Sequence, residues 1–273
     1  MAAVTSATTS AGPLAQTVIG EDGPVVVFCH GLLGRGRNFT GIAKALQPDF
    51  RCVLLDMPDH GRSPWTEAFD YAGAADLVVQ QLRALGAEGT PVNLVGHSMG
   101  GKIAMTAALQ APELLDRLVV VDISPTGSAD GSNFQHLLDS LERIDLGSIT
   151  SHGQADTELS ADVDSRTLRG FLLQNLRRDG DTGEFAWQPN LDVLRRDLTA
   201  VMGDVPHEGR SFGGRVLWIA GADSPYVGEA DGEVMRRLFP RTVQVTIKDA
   251  GHWVHSEQPQ AFTATLRQFL RAR

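Results

Sequence analysis

A serine with glycine two residues away on either side, in Gly96-His97-Ser98-Met99-Gly100, is the arrangement in this chain with the clearest chemical potential. A hydroxyl held on a sharp strand-to-helix turn is open to an incoming carbonyl carbon, and flanking glycines let the backbone pack where side chains would collide. The start of the following helix adds a positive field and free N–H groups for a developing oxyanion. Such a hydroxyl needs a base to take its proton and an acid to orient that base.

His252 is the candidate base. Gly251-His252 follows the last apolar run and precedes the last helical pattern, which is the chain order this chemistry needs. His30 and His97 flank glycine motifs and belong to turn backbones. His60 lies in a turn, Asp59–Ser63, while His136, His152 and His207 fall in a separate helical segment. His255 is a near neighbour but does not follow the strand-end glycine directly. Two aspartates satisfy the order Ser, Asp, His: Asp122 at the end of the run Leu118–Asp122, and Asp223 after Arg215–Ala220. The residues alone leave both open. A second glycine loop, Phe28-Cys29-His30-Gly31-Leu32-Leu33-Gly34, follows another apolar run. It is placed to turn a backbone N–H toward the serine, so the expected oxyanion donors are the N–H groups of Leu32 and Met99.

These side chains need a scaffold. Of six short runs rich in Val, Ile and Leu (24–29, 51–56, 92–96, 118–122, 215–220 and 242–247), most are continuous rather than alternating, the pattern of strands buried on both faces. Residues 14–19 read as a more exposed first strand. Helical spacing appears at 41–46, 72–85, 99–110 and 258–270. Alternating strands and helices predict a doubly wound α/β sheet. The alternation stops after Pro125 and resumes near Arg215. The segment between carries helical patterns only, at 134–144, 168–178 and 191–202, and is predicted to form a lid over the carboxyl edge of the sheet. The expected organisation is a disordered tail at 1–12, a core at 13–125 and 211–273, and a helical cap at 126–210.

A net charge of −9 argues against nonspecific binding to nucleic acid or anionic membranes. No stretch approaches the ~20 apolar residues of a membrane span. The two cysteines, Cys29 and Cys52, are expected on neighbouring parallel strands about 10 Å apart, too far for a disulfide, as reduced thiols of a cytoplasmic protein. With no HExxH, dinucleotide fingerprint or P-loop, neither metal nor cofactor is expected.

Taken together, HGLLG, DHGRSP, GHSMGGK, VVDISP and GADSPYV resemble the α/β-hydrolase superfamily over about 14–270, and within it the bacterial YbfF-type esterases and their mitochondrial relatives. The resemblance implies an acid at Asp122, whereas the more usual superfamily position maps onto Asp223. It also implies a helical cap that shapes an acyl pocket. Trp187, Asn190 and Leu191 resemble a recurring cap-helix element, for which packing is the simpler role. His30, Gly31, His97 and Trp187 are the candidate substrate contacts. The expected activity is that of a serine hydrolase of carboxylic esters or thioesters with small to medium acyl chains, acting on a small-molecule substrate as a monomer or small homo-oligomer. A carbon–carbon bond hydrolase or lyase-type synthase on the same triad is the alternative, followed by a non-catalytic ligand receptor.

Overall fold

The computed structural model describes residues 13–128 and 131–272; the segment 1–12, expected as a disordered tail, lies outside them. The strands are β1 (Gln16–Ile19), β2 (Val25–Cys29), β3 (Arg51–Leu55), β4 (Val92–His97), β5 (Leu115–Val121), β6 (Leu176–Arg178), β7 (Phe185–Trp187), β8 (Arg215–Gly221) and β9 (Thr242–Ile247). Seven form one sheet in the order β1-β3-β2-β4-β5-β8-β9. Only β1 runs antiparallel to its neighbour; the other pairings are parallel.

The continuous apolar runs have a direct explanation in this sheet. Successive residues of β2 point to opposite faces, and both faces are covered. Val27 and Cys29 pack with Val78, Leu82 and Ile103 of the helices Tyr71–Ala84 and Met99–Gln110. Val26 and Phe28 pack with Ile42, Phe262 and Leu266 of the helices Thr40–Ala45 and Pro259–Arg271. The helix Tyr71–Ala84 shows how local sequence sets an element. Asp70 caps its start by accepting the Gly73 N–H at 2.8 Å, and Ala74, Ala75, Val78, Val79 and Leu82 form its buried stripe. It stops at Leu85, before Gly86 at φ 85°. Cys52 lies opposite Val26, three residues along the strand from Cys29, and both thiols are buried and free.

Between β5 and β8 the described residues form five helices and a small antiparallel ribbon, β6–β7. The ribbon corrects the expectation of helices only. The helix expected over 168–178 ends at Leu173. Asp179 then builds a turn, accepting the N–H groups of Asp181 (2.9 Å) and Thr182 (2.8 Å), with Gly183 at φ 77°. The helix expected over 191–202 is split at Asp197, whose carboxylate accepts the Phe69 N–H at 2.8 Å. The helices His152–Leu159 and Asp231–Leu238 are not foreseen, because each buries few apolar side chains. The insertion leaves at Pro125 and returns at Val205, whose N–H donates to the Pro125 carbonyl at 2.8 Å.

Candidate active site

β4 ends at His97 and the next helix begins at Met99, so Ser98 alone makes the turn, at φ 53° and ψ −124°. That backbone strain costs a non-glycine residue about 1–3 kcal/mol. It is sustained by packing that tolerates no side chain on either flank. A Cβ on Gly96 would strike the Gly100 carbonyl, and one on Gly100 would strike the carbonyls of Cys29 and His30. Ser98 is buried, with 6% of its surface exposed.

The Ser98 hydroxyl lies 2.9 Å from His252 Nε2, and His252 Nδ1 lies 2.8 Å from Asp122 Oδ2. Asp122 follows β5, is fully buried and adopts φ 51°. Its Oδ1 accepts the Gly221 N–H at 2.8 Å, and its Oδ2 also accepts the Ser224 hydroxyl. These donors fix its orientation. The other candidate acid, Asp223, is exposed. Its N–H donates to the Ala250 carbonyl, and its carboxylate makes no bond among the described residues. The His252 ring packs against Tyr226 (centroids 4.2 Å apart) and His97 (4.7 Å).

Leu32 and Met99 stand beside Ser98, and neither N–H is engaged by another group among the described residues. The loop that carries Leu32 is held at Leu33, which sits at φ 57° and donates its N–H to His60 Nε2 at 3.1 Å. The His60 Nδ1–H in turn donates to the Pro58 carbonyl at 2.9 Å. Two spaces meet at the serine. One is a narrow slot of about 20 Å3 bounded by Gly31, His252, His255 and, from the insertion, Leu137 and Phe171. The other is a cavity of about 460 Å3 with Ile123, Val201, Met202 and Tyr226 in its wall and Lys102 and Asp231 at its polar end. Phe134 borders both.

Residues 24–259 match the alpha/beta hydrolase fold family. The chain belongs to that family. It is 38% identical to the mouse sn-1-specific diacylglycerol lipase ABHD11, over 94% of this chain and 85% of the mouse protein. It is 28% identical to the Escherichia coli esterase YbfF, over 90% and 92% of the two chains. A solved structure of a marine microorganism esterase superposes with a TM-score of 0.89 at 31% identity, covering 94% of this chain and 98% of that one.

Within this hydrolase fold, the other expected contacts divide. His30, Gly31 and His97 all border the slot, but the imidazoles are tied to backbone. His30 accepts the Met57 N–H at 2.9 Å and donates to the Gly31 carbonyl at 2.8 Å. His97 donates to the His252 carbonyl at 2.8 Å, which holds the loop that carries the base. Burial lowers the pKa of all the surrounding rings: His30 and His255 to about 3, His97 well below its ordinary value, and His60 in the same direction. Trp187, expected near substrate, lines neither space. It sits on β7 opposite Leu176, half-buried against the apolar core, because the ribbon turns it away from the serine.

Sequence reasoning missed Ser224, Tyr226 and Lys102. Ser224 and Tyr226 lie in the Gly221–Val227 stretch after β8, and position at the carboxyl edge of a strand was the available signal. Lys102 is buried in the helix after the serine. Its ammonium donates to the carbonyls of Thr126 (2.9 Å) and Gly203 (2.5 Å). Desolvation lowers its pKa to about 8, although Asp204 and Asp231 act in the opposite sense. Among the described residues no group of three His, Cys, Asp or Glu side chains could hold a metal ion, and no helix is long and apolar enough to cross a membrane.

Proposed function

We propose that Ser98, His252 and Asp122 are the catalytic triad of this chain, which is a carboxylic-ester hydrolase. The observation that carries the reading is the pair of contacts at 2.9 and 2.8 Å joining hydroxyl, imidazole and buried carboxylate. His252 Nε2 takes the Ser98 proton as Oγ attacks the acyl carbon. Asp122 holds the Nδ1–H tautomer and stabilises the imidazolium that forms. The N–H groups of Leu32 and Met99 donate to the oxyanion as it develops. The imidazolium then gives its proton to the departing alcohol or thiol. Water enters, His252 removes its proton, and collapse of the second tetrahedral intermediate releases the acid and restores Ser98.

The segment 126–210 acts as a cap on a core formed by 13–125 and 211–273. It contributes Phe134, Leu137, Phe171, Val201 and Met202 to the walls around the serine. The cavity of about 460 Å3 falls within the range of about 300–1,000 Å3 usual for small-molecule sites. It suits a small or medium acyl or alcohol group. The curated relatives include proteins named as diacylglycerol lipases and as esterases, which supports an ester substrate without fixing its alcohol.

The test is Ser98→Ala against the wild type, using a chain-length series of nitrophenyl esters and a fluorophosphonate probe. Turnover and labelling should both vanish in the variant while its circular dichroism is unchanged. Turnover that survives the substitution would reject Ser98 as nucleophile.

A further inference from the structure

A groove separate from the spaces at Ser98 follows the seam between the core and the β6–β7 ribbon, with a volume of about 820 Å3. Five arginines line it against a single carboxylate, Asp56. Arg35, Arg37 and Arg62 come from the loops after β2 and β3, and Arg177 and Arg178 come from the ribbon. The chain as a whole carries a net charge of −9, so this concentration of positive charge is local.

Asp56 makes no ion pair with the five, but its charge acts favourably on Arg35, as that of Asp179 does on Arg177. The Asp56 oxygens accept the backbone N–H groups of Gly36 (2.9 Å) and Arg62 (3.0 Å). None of the five guanidinium groups has a salt bridge among the described residues. Arg35 lies deepest. Its Nη1–H donates to the Gln174 carbonyl at 3.0 Å, while its Nε is buried without a partner. Burial, and after it repulsion from Arg37, lowers its pKa from the ordinary arginine value, while Asp56 acts in the opposite sense. Arg178 is held in place, with its guanidinium over the Phe185 ring and a bond of 3.0 Å to the Gly183 carbonyl.

Like charges gathered in a recess repel one another, and the ribbon arginines face those of the core across the seam. Polyvalent oxyanions relieve such repulsion, and the planar fork of arginine matches phosphate oxygens two at a time. We propose that this groove is a second ligand site, which takes a soluble small molecule carrying two or more phosphate groups and is clamped between the core arginines and the ribbon. A single phosphate brings at most about two negative charges and leaves most of the cluster uncompensated. The groove follows a seam with its innermost arginine half-buried, a shape that suits a small soluble ligand better than a flat membrane surface. A ligand that spans the seam binds only the folded chain and therefore stabilises it.

The test is titration calorimetry and thermal unfolding of the full chain with sodium pyrophosphate, at ionic strength held constant with sodium chloride. One equivalent should bind and Tm should rise. Arg37→Glu and Arg177→Glu, both at exposed positions, should each weaken binding about tenfold or more. Arg241→Glu, exposed and outside the groove, should leave it unchanged. Circular dichroism establishes that each variant is folded. The proposal is overturned if pyrophosphate shows no saturable binding, if neither charge reversal in the groove weakens it, or if anionic phospholipid vesicles, titrated in parallel, bind while pyrophosphate does not. No arm reads ester turnover, so failure here is distinct from failure of the Ser98 assignment.

Discussion

Replacing Asp122 by asparagine should nearly abolish turnover while leaving the fold intact. Asparagine has almost the same shape, and its amide oxygen can still accept the Gly221 N–H that now reaches Oδ1 at 2.8 Å. The difference falls at Oδ2, which accepts from both Ser224 and His252. An amide NH2 there donates instead. It meets His252 Nδ1 as a donor, so the ring must carry its proton on Nε2, the nitrogen 2.9 Å from Ser98 Oγ. The serine then faces a donor rather than a base, and the imidazolium loses its counter-charge. An aspartate-to-asparagine change in this role lowers kcat by about 10^4, or about 5.5 kcal/mol at 1.36 kcal/mol per tenfold. Asp223→Asn removes an exposed carboxylate with no partner, so its effect should stay within about 0.5 kcal/mol, roughly twofold. The assay is steady-state hydrolysis of nitrophenyl butyrate by both variants, with urea unfolding to verify stability. Asp122→Asn retaining more than about a tenth of wild-type kcat, or Asp223→Asn losing as much as Asp122→Asn, would refute the reasoning.

Gly100→Ala should destabilise the fold by at least about 1–3 kcal/mol and impair turnover, because the new methyl meets the carbonyls of Cys29 and His30; urea denaturation showing no loss would contradict the close approach. His255 takes up its proton at about pH 3 in the folded chain, below the ordinary 6.5. The unfolded chain therefore binds the extra proton across that interval, and stability falls with acidification by about 1.4 kcal/mol per pH unit from this ring. His255→Phe should remove that increment between about pH 6 and pH 4, measured as a shallower fall in urea stability, and an unchanged slope would count against a buried neutral ring. Lys102 gives the same sign of slope for the same reason: with its pKa lowered from 10.5 to about 8, the folded chain gives up a proton that the unfolded chain keeps. The stability of wild type relative to Lys102→Met should therefore rise as pH increases from about 8 to above 10; a flat difference would refute the cost of burying this ammonium.

The sheet was legible because its inner strands β2, β3, β4, β5 and β8 are buried on both faces and the helices Tyr71–Ala84 and Met99–Gln110 carry apolar stripes, whereas β9 is largely exposed and the helix before it buries little. The expected boundaries at Arg51, Val92, Met99, Arg215 and Thr242 coincide with the observed ones. Legibility failed where an element's shape depends on polar side chains. A single carboxylate at Asp179 redirects a helical pattern into a ribbon, and another at Asp197 divides a helix. The serine and histidine could be read from chain order, because a turn between strand and helix leaves a local signature. The partner of the histidine could not be chosen from residue types, since Asp122 and Asp223 both follow strands. The structure separates them by depth: the first is enclosed by three donors, and the second faces solvent. Ser224 and Tyr226 lie within the GADSPYV stretch, but residue types alone did not single them out, because they act across strands, from the loop after β8 onto residues that follow β5 and β9.

The ring of histidines around the site follows from the charge the reaction must carry. In the proposed mechanism His252 becomes an imidazolium twice per turnover, with the His97 ring only 4.7 Å away. Were His97 also charged, two unit charges at that separation would repel by about 3–4 kcal/mol at an effective dielectric of about 20. Burial prevents this. The His97 pKa is held well below its ordinary value by desolvation, and its one backbone bond, to the His252 carbonyl, positions the base loop without adding charge. His30 and His60 do the same on the other side, bonding Met57 and Leu33 as neutral rings and thereby fixing the loop that presents the Leu32 N–H. Neutral imidazole offers one donor and one acceptor with fixed directions, so it can brace two loops at once. The apolar walls that bury these rings are therefore part of the catalytic electrostatics: they reserve the proton for the one histidine that faces the serine.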